Sequence, residues 1–202
     1  MIVRVARPGE AGEIGDLRVG AYQAEGLLNE QYAGTLRALG QDGHGTVFVA
    51  VDDNSVDNTL DSTADDAVDD TAGDGAAGSR ANSGKLLGTV MFEPWHVGSE
   101  VARSADEAEV RALAVAPWAQ GRGTGRALMR AVIGAATASG ARRLLLSTQT
   151  EMTTAQRLYR SLGFQRAPEL DWRPVPEVPL LGFILPLDGS ALEGPAESGE
   201  QD

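Results

Sequence analysis

The sequence predicts a single α/β domain in which helices flank a mixed, mostly antiparallel central sheet. Two observations support this. The 202 residues suit one domain, and 42% of them are hydrophobic, enough to bury a core once the polar segments are set aside. Strand-like runs and helical patterns also follow one another along the chain, beginning strand, helix, helix, strand, and they account for most of the expected order of elements.

The first three elements are a strand and two helices. Residues 2–6 show the alternation of a strand, and Ile14, Leu17 and Tyr22 recur at roughly helical spacing. Glycines within this helical pattern leave the boundaries of the helix open. Asn29 is a favourable N-cap for a second, short helix that would end at residue 39.

An insertion separates the two strands that follow. Residues 46–51 and 85–93 are strand-like and are predicted to pair as a hairpin. Residues 52–84 between them contain no aromatic residue and mix Asp, Ala, Gly, Ser and Thr, a composition that cannot offset the entropy of ordering. We expect a disordered loop, with an acidic docking segment as the alternative. Closure entropy grows slowly with loop length, so the insertion need not break the fold.

The second half of the chain is organised around its longest helix. This helix is predicted over 122–139, with a stop near Gly140. A strand over 142–147 follows, and its three successive leucines suit a central strand covered on both faces. After a Pro-rich connection, residues 180–187 form the closing strand. The acidic tail 188–202 is expected to be disordered, so the folded domain would span 1–187.

The acidic residues are concentrated in two segments. The net charge is −12, but nine aspartates lie within 52–79 and five acidic residues within 188–202, which leaves the rest of the chain slightly basic. The chain has no cysteine, which excludes a disulfide framework, a thiolate nucleophile and a cysteine-based zinc site. With His44 and His96 as its two histidines, no metal site is expected.

Composition also bears on location and partners. The chain shows neither the apolar stretch of a signal peptide nor a run of about 18 apolar residues, so we expect a cytoplasmic protein without membrane association. Its arginines are scattered and aromatic residues do not interleave with them, so nucleic-acid binding is not expected. The oligomeric state is left open between a monomer and a homodimer.

A glycine-rich turn precedes the longest helix. Residues 120–126 read Q-G-R-G-T-G-R and offer a run of backbone N–H groups with little side-chain bulk, which can bind a phosphate at a helix N-terminus. A Rossmann site fits poorly because the third glycine of G-x-G-x-x-G is missing, and a P-loop is excluded because no Gly-Lys-Ser/Thr occurs. An ordinary glycine turn is the alternative.

The setting of this turn carries a family resemblance. The segment 107–164 resembles the cofactor-binding half of the GNAT superfamily of acyl-CoA-dependent N-acetyltransferases. Gln120, Gly123 and Gly125 match its Q-x-x-G-x-G pattern, the preceding strand ends L-A-V-A-P, and residues 155–164 read A-x-x-L-Y-x-x-L-G-F. The stretch from Ser147 to Trp172 is similar to a bacterial subgroup whose substrates are largely unassigned.

The resemblance implies acetyl-CoA as cosubstrate and assigns two groups of contacts to it. Backbone groups of the strand before the turn would bind the pantetheine arm, and the turn would bind the pyrophosphate. Without the resemblance, the strand residues indicate only a buried strand. The residues implied are Leu113, Ala114 and Val115 in the strand, and Gln120, Gly121, Arg122, Gly123, Thr124, Gly125 and Arg126 in the turn.

Two residues are candidates for proton transfer. Glu109 matches the general base of histone-type members, and in a regular strand its side chain would share a face with Val115, although a bulge would change this. The alternative is a solvated carboxylate at the start of a strand. Tyr159 matches the tyrosine that protonates the departing CoA thiolate, with packing of a helix onto the sheet as the alternative.

The resemblance implies transfer of an acetyl group to a primary amine of a small molecule or protein, in a ternary complex. The alternative is a non-catalytic CoA-binding sensor or interaction module. Ser147 and Met152 stand where many N-terminal-amine acetyltransferases of this group carry Glu and Asn, which argues against protein N-termini as acceptors. Candidates for the acceptor pocket are Tyr22, Leu27, Leu28, Asn29, Tyr32, the pair Trp95 and His96, and the pair Asp171 and Trp172.

Overall fold

The computed structural model describes residues 1–28, 30–52 and 84–187. These residues form a seven-stranded sheet with the order β1-β2-β3-β4-β5-β7-β6 and four α-helices. The mixed α/β fold and the order of elements confirm the prediction. The strands are β1 (Ile2–Val5), β2 (Thr46–Val51), β3 (Leu86–Pro94), β4 (Glu107–Val115), β5 (Arg143–Gln149), β6 (Gln165–Arg166) and β7 (Leu180–Pro186), and the helices are α1 (Ala11–Ala24), α2 (Glu30–Ala38), α3 (Thr124–Ala138) and α4 (Thr153–Ser161).

The predicted hairpin of β2 and β3 is confirmed. The two strands pair antiparallel, from Thr46 opposite Phe92 to Val51 opposite Leu86. The N–H of Asp52 donates to the carbonyl of Lys85 at 2.9 Å, so the chain leaves and re-enters the sheet at adjacent positions. The predicted disordered insertion, apart from its ends, and the predicted tail fall on 53–83 and 188–202, outside the described residues.

Helices cover both faces of the sheet. Leu128, Met129 and Val132 of α3 are fully buried in one cluster with Ala50 of β2, whereas Ile14 of α1 packs on Val49 and Val51 of the same strand. Successive residues of a strand point to opposite faces, so α1 and α3 lie on opposite sides. None of the described helices is both long enough and apolar enough to span a membrane.

The sheet opens between its two central strands. β4 and β5 are the parallel pair, and their register runs from Glu107 opposite Arg143 to Val110 opposite Leu146. Beyond Val110, β4 continues along β3 while β5 continues along β7. A wedge-shaped gap therefore lies between the second half of β4 and the end of β5.

A bulge in β4 accompanies this opening. Between Arg111 and Ala114, β4 holds one residue more than the facing segment of β3, and Ala112 has φ +49°. Arg111 faces Met91 and Ala114 faces Thr89, so Arg111 and Ala114 share a face with Glu109, while Val115 points to the other side. Glu109 and Val115 would share a face in a regular strand, but the bulge inserts one residue between them and places them on opposite faces.

Candidate functional site

Two adjoining cavities occupy the gap between β4 and β5. The glycine cavity, about 360 Å³, is bounded by the end of β4, the glycine-rich turn and the starts of α3 and α4. The tyrosine cavity, about 280 Å³, lies between the α1–α2 region, β4, the end of β5 and residues 172–180. Tyr22, Leu113 and Met152 line both cavities, so the two meet where the strands part.

Most of the predicted cofactor residues come together in the glycine cavity. Its wall includes nine of the ten: Leu113, Ala114, Val115, Gln120, Gly121, Gly123, Thr124, Gly125 and Arg126. Arg122 is exposed and is not part of that wall. The Thr124 side chain is buried, and its hydroxyl donates to the carbonyl of Ala119 at 3.2 Å. Thr124 therefore offers its backbone N–H to the cavity rather than its hydroxyl.

The glycine-rich turn presents N–H groups at the start of α3. Ala127 donates the first backbone bond of the helix to Gly123 at 3.0 Å, so the N–H groups of Gly125 and Arg126 precede the intrahelical ladder. Gly121 and Gly123 have φ of +74° and +80°, which explains why glycines stand there. Because Gly123 has this left-handed conformation, helix α3 begins at Thr124 rather than at residue 122. Free N–H groups and the helix dipole together favour an anion here.

Glu109 lies in the wall of the tyrosine cavity. It is 1% exposed, which rules out the alternative of a solvated carboxylate. Its Oε1 accepts hydrogen bonds from the N–H groups of Val101 (2.6 Å) and Ala102 (2.5 Å). The hydrogen bonds found between Glu109 and other described residues involve Oε1 and not Oε2. One oxygen therefore holds the loop before β4, and the other is available to a molecule in the cavity.

A buried ionic network continues from Glu109 along the same face. Arg111 donates through Nη1 to Glu93 at 3.0 Å and through Nη2 to Glu100, and Glu93 also contacts Nε2 of His96 at 3.0 Å. The side chain of Glu93 is only 1% exposed, whereas that of Glu100 is 34% exposed. Glu100 and Arg111 line the tyrosine cavity. The network thus connects the cavity wall to the sheet interior.

Burial and charge act in opposite directions on this network. Burial raises the pKa of the Glu100 carboxyl above its usual range, although the Arg111 guanidinium opposes this. Burial tends to lower the pKa of Arg111, but Glu100 and Glu93 outweigh it and raise that pKa. Glu93, Glu100 and Arg111 are not among the residues predicted from the sequence. The available signal is an arginine in the middle of a mostly apolar strand, which needs a buried partner.

Tyr159 is buried against the core and also borders a cavity. Its ring is 5% exposed and packs on Phe164 and Phe183, with centroid distances of 5.9 and 6.2 Å. It also lines the tyrosine cavity. Burial raises the pKa of Tyr159 above its ordinary value of 10.0, so the phenol keeps its proton at neutral pH. Tyr22 lies against both cavities, and burial raises its pKa as well.

The other candidates for an acceptor pocket divide into two groups. Leu27, Tyr32 and Trp172 line the tyrosine cavity, as do Ser147 and Met152, the two departures from the family pattern. The remaining candidates lie elsewhere: Leu28, Trp95 and His96 are in neither cavity wall, Asn29 lies outside the described residues, and Asp171 is bound by Arg166 and by the N–H of Gly182. Asp171 is therefore engaged by other groups of the chain, outside both cavity walls.

Among the described residues, no group of three or more His, Asp or Glu side chains is arranged to bind a metal ion. His44 and His96 stack face to face at 4.4 Å between ring centroids, and His96 is engaged by Glu93.

The buried network makes Arg111 important for stability. We expect Arg111→Met to lower the free energy of unfolding by about 3–5 kcal/mol, because it leaves Glu93 buried without its guanidinium partner. The control is Arg37→Met, whose ion pair with Asp16 is exposed and contributes less than about 1 kcal/mol. Urea unfolding at pH 7 measures both. Equal losses in the two variants would contradict the role given to Arg111, and Glu93→Gln should partly restore Arg111→Met.

Comparison with known proteins supports the fold. The model of the acetyltransferase (GNAT) family matches residues 57–164. A search of curated proteins gives no significant match. Among solved structures, a GNAT-family acetyltransferase from Staphylococcus aureus Mu50 is similar with a TM-score of 0.63 at 12% identity, covering 92% of this chain and 98% of its own.

Two further structures show the same fold. A GCN5-related N-acetyltransferase from Kribbella flavida has a TM-score of 0.58 at 24% identity and covers 92% of this chain and 96% of its own. A protein of Salmonella typhimurium assigned as an acetyltransferase was solved with its cofactor acetyl-CoA. It has a TM-score of 0.58 at 18% identity and covers 96% of this chain and 98% of its own. Since the family model spans more than half of the sequence, the chain belongs to the GNAT family of acetyltransferases.

Proposed function

We propose that this protein transfers an acetyl group from acetyl-CoA to a primary amine, in a complex that holds both substrates at once. The observation that carries the proposal is the meeting of the glycine and tyrosine cavities at Leu113, Met152 and Tyr22. One cavity offers an anion site, and the other offers a carboxylate and a phenol. Two molecules bound in adjoining cavities can react directly, without a covalent enzyme intermediate.

The glycine cavity has the groups that acetyl-CoA requires. Its pyrophosphate would accept hydrogen bonds from the N–H groups at the start of α3, with Arg126 adding positive charge. Its pantetheine arm would lie along 112–115, where β4 has separated from β5 and its backbone groups on that side no longer pair with a strand. The thioester then lies near Leu113, at the entrance to the tyrosine cavity.

The transfer needs two proton movements, and one residue is proposed for each. Glu109 takes a proton from the ammonium group of the acceptor, directly or through water, and passes it to solvent. The amine nitrogen then attacks the thioester carbon, so that a C–N bond forms and the C–S bond breaks. Tyr159 donates its proton to the departing thiolate and regains one from the nitrogen or from solvent. The acetyl group supplies the electrophile, and the products are an amide and CoA.

Gly123→Asp tests the anion site. We expect acetyl-CoA binding to weaken at least about tenfold, because a carboxylate would stand at the start of α3 beside the phosphates. Gly140→Asp is the matched control, since Gly140 has φ +81°, close to the +80° of Gly123, but follows the other end of α3. Calorimetry in phosphate-free buffer measures both. Equal weakening in the two variants would show that backbone strain, not charge, is responsible.

Glu109→Gln tests the base. The glutamine oxygen can still accept the N–H groups of Val101 and Ala102, so the loop is retained while the proton acceptor is removed. We expect kcat/KM to fall about 10²- to 10⁴-fold at pH 7, and the loss to shrink as rising pH deprotonates the amine. Glu107→Gln is the control, because Glu107 lies on the same strand outside both cavities. A pH-independent loss would contradict the assignment.

Tyr159→Phe tests the acid. Phenylalanine keeps the packing on Phe164 and Phe183, so acetyl-CoA affinity should stay unchanged while kcat falls at least about tenfold. The raised pKa of Tyr159 also predicts that kcat of the wild-type enzyme shows no alkaline loss from this group below pH 10.0. Release of free CoA thiol measures turnover, and wild-type kcat in the variant would refute the role.

A non-catalytic CoA-binding module is the rival function. It predicts acetyl-CoA binding with no release of thiol in the presence of any amine, and the same thiol assay therefore decides between the two.

A further inference from the structure

We propose that the acceptor is a small primary monoamine with an apolar body and no carboxylate, bound in the tyrosine cavity. This inference rests on the proposed function, because it names the substrate class of the same site. It is based on three features of the cavity: its apolar walls, the net charge of its lining, and its small volume with a contact across it.

Two elements supply much of the apolar wall opposite β4. Leu36, which is 1% exposed, comes from α2. Trp172, Val175 and Val178 come from the closing segment, defined as residues 172–180. This segment is held as a loop by paired backbone bonds between Trp172 and Leu180 (3.2 and 2.9 Å) and by one from Val178 to Val175 (3.1 Å). The apolar surface is therefore fixed in place before any ligand binds, and an apolar group gains free energy by covering it.

The charged groups at this cavity leave an excess of negative charge. Glu100 and Glu109 line the cavity, and Glu93 accepts a hydrogen bond from Arg111. The positive groups nearby are Arg111, which is bound to two of these carboxylates, and Arg18, whose pKa burial lowers to about 10. Of the charged residues that line the cavity, two are carboxylates, Glu100 and Glu109, and one is a guanidinium, Arg111, so one ammonium completes the balance. A carboxylate on the acceptor would instead meet Glu100 and Glu109.

The same arrangement argues against polycations. Among the described residues that line the cavity, the acidic side chains are Glu100 and Glu109, and both are on the β4 side. A second ammonium on a polyamine would be placed against the apolar wall, where an unpaired charge is costly to desolvate. An acceptor with one ammonium group and one apolar body therefore matches the lining, whereas an acceptor with several ammonium groups does not.

The size of the cavity and a contact across it favour a small molecule over a protein. The side chain of Gln149, at the end of β5, reaches the carbonyl of Leu27, between α1 and α2, at 3.5 Å. Both residues line the cavity, so this contact joins its two sides. The volume of about 280 Å³ suits a compact amine, whereas a polypeptide chain would need the walls to part.

An acceptor series tests the proposal. Thiol release is measured with butylamine, hexylamine, phenylethylamine, spermidine, phenylalanine and a peptide that begins with alanine. We expect kcat/KM to rise about fourfold per added methylene from butylamine to hexylamine, and to remain high for phenylethylamine. Spermidine, phenylalanine and the peptide should be at least about tenfold poorer than phenylethylamine.

Binding separates the cavity from catalysis. Calorimetry with CoA in place of acetyl-CoA prevents turnover, and phenylethanol serves as the uncharged counterpart of phenylethylamine. We expect Glu100→Gln to weaken phenylethylamine about tenfold and to leave phenylethanol unchanged. Glu177→Gln, an exposed change in the closing segment outside the cavity wall, is its control. Added salt should weaken the binding of phenylethylamine but not that of phenylethanol. This tests the role of charge on the wild-type protein.

Val178→Ser tests the apolar wall. It should weaken both phenylethylamine and phenylethanol about threefold or more, whereas Val97→Ser, at a position 99% exposed, should weaken neither.

Faster transfer to spermidine, phenylalanine or the peptide than to phenylethylamine would overturn the acceptor class and leave acetyl transfer standing. Acetyl-CoA binding without thiol release from any amine would overturn the proposed function, and the acceptor class with it.

Discussion

The separation of β4 from β5 after Val110 is the constraint on which the site depends. Two parallel strands that stayed paired would leave neither unpaired backbone groups nor room between them. The gap exposes 112–115 of β4 on one side, and the bulge at Ala112 turns Glu109 and Arg111 away from the face that Val115 occupies. Leu113 consequently borders both cavities, and the proposed chemistry is placed at that border.

The ionic network on the same face shows how a chain can keep charges inside a sheet. Glu93 is almost fully buried, and its carboxylate is matched by the planar fork of Arg111 and by His96. The other nitrogen of the fork holds Glu100 at the cavity wall, so one guanidinium both neutralises the interior and positions a carboxylate for ligand. A network of this kind is tolerated because its members satisfy one another, and removal of one member is costly.

Elements with a strong local pattern were predictable. The predicted β2 strand over 46–51 has the observed bounds, and the predicted closing strand extends only one residue beyond Pro186. Both strands could be placed because alternating or continuous apolar residues are a direct indication of a buried strand. The start of α3 was placed two residues early, because the left-handed φ of Gly123 delays the helix. Most residues expected around a phosphate do lie in one cavity wall, since the glycine-rich turn is a local feature.

Long-range properties of the site were not predictable in the same way. Local sequence is enough to place strands, helices, the glycine-rich turn and the acidic segments, because each depends on the types of residue that are neighbours in the chain. The face on which Glu109 lies, its hydrogen bonds to the loop at Val101, and the joining of Glu93 to Glu100 through Arg111 depend on strand register and one inserted residue. Those are set by packing between elements distant in sequence, and they appear only in the folded chain.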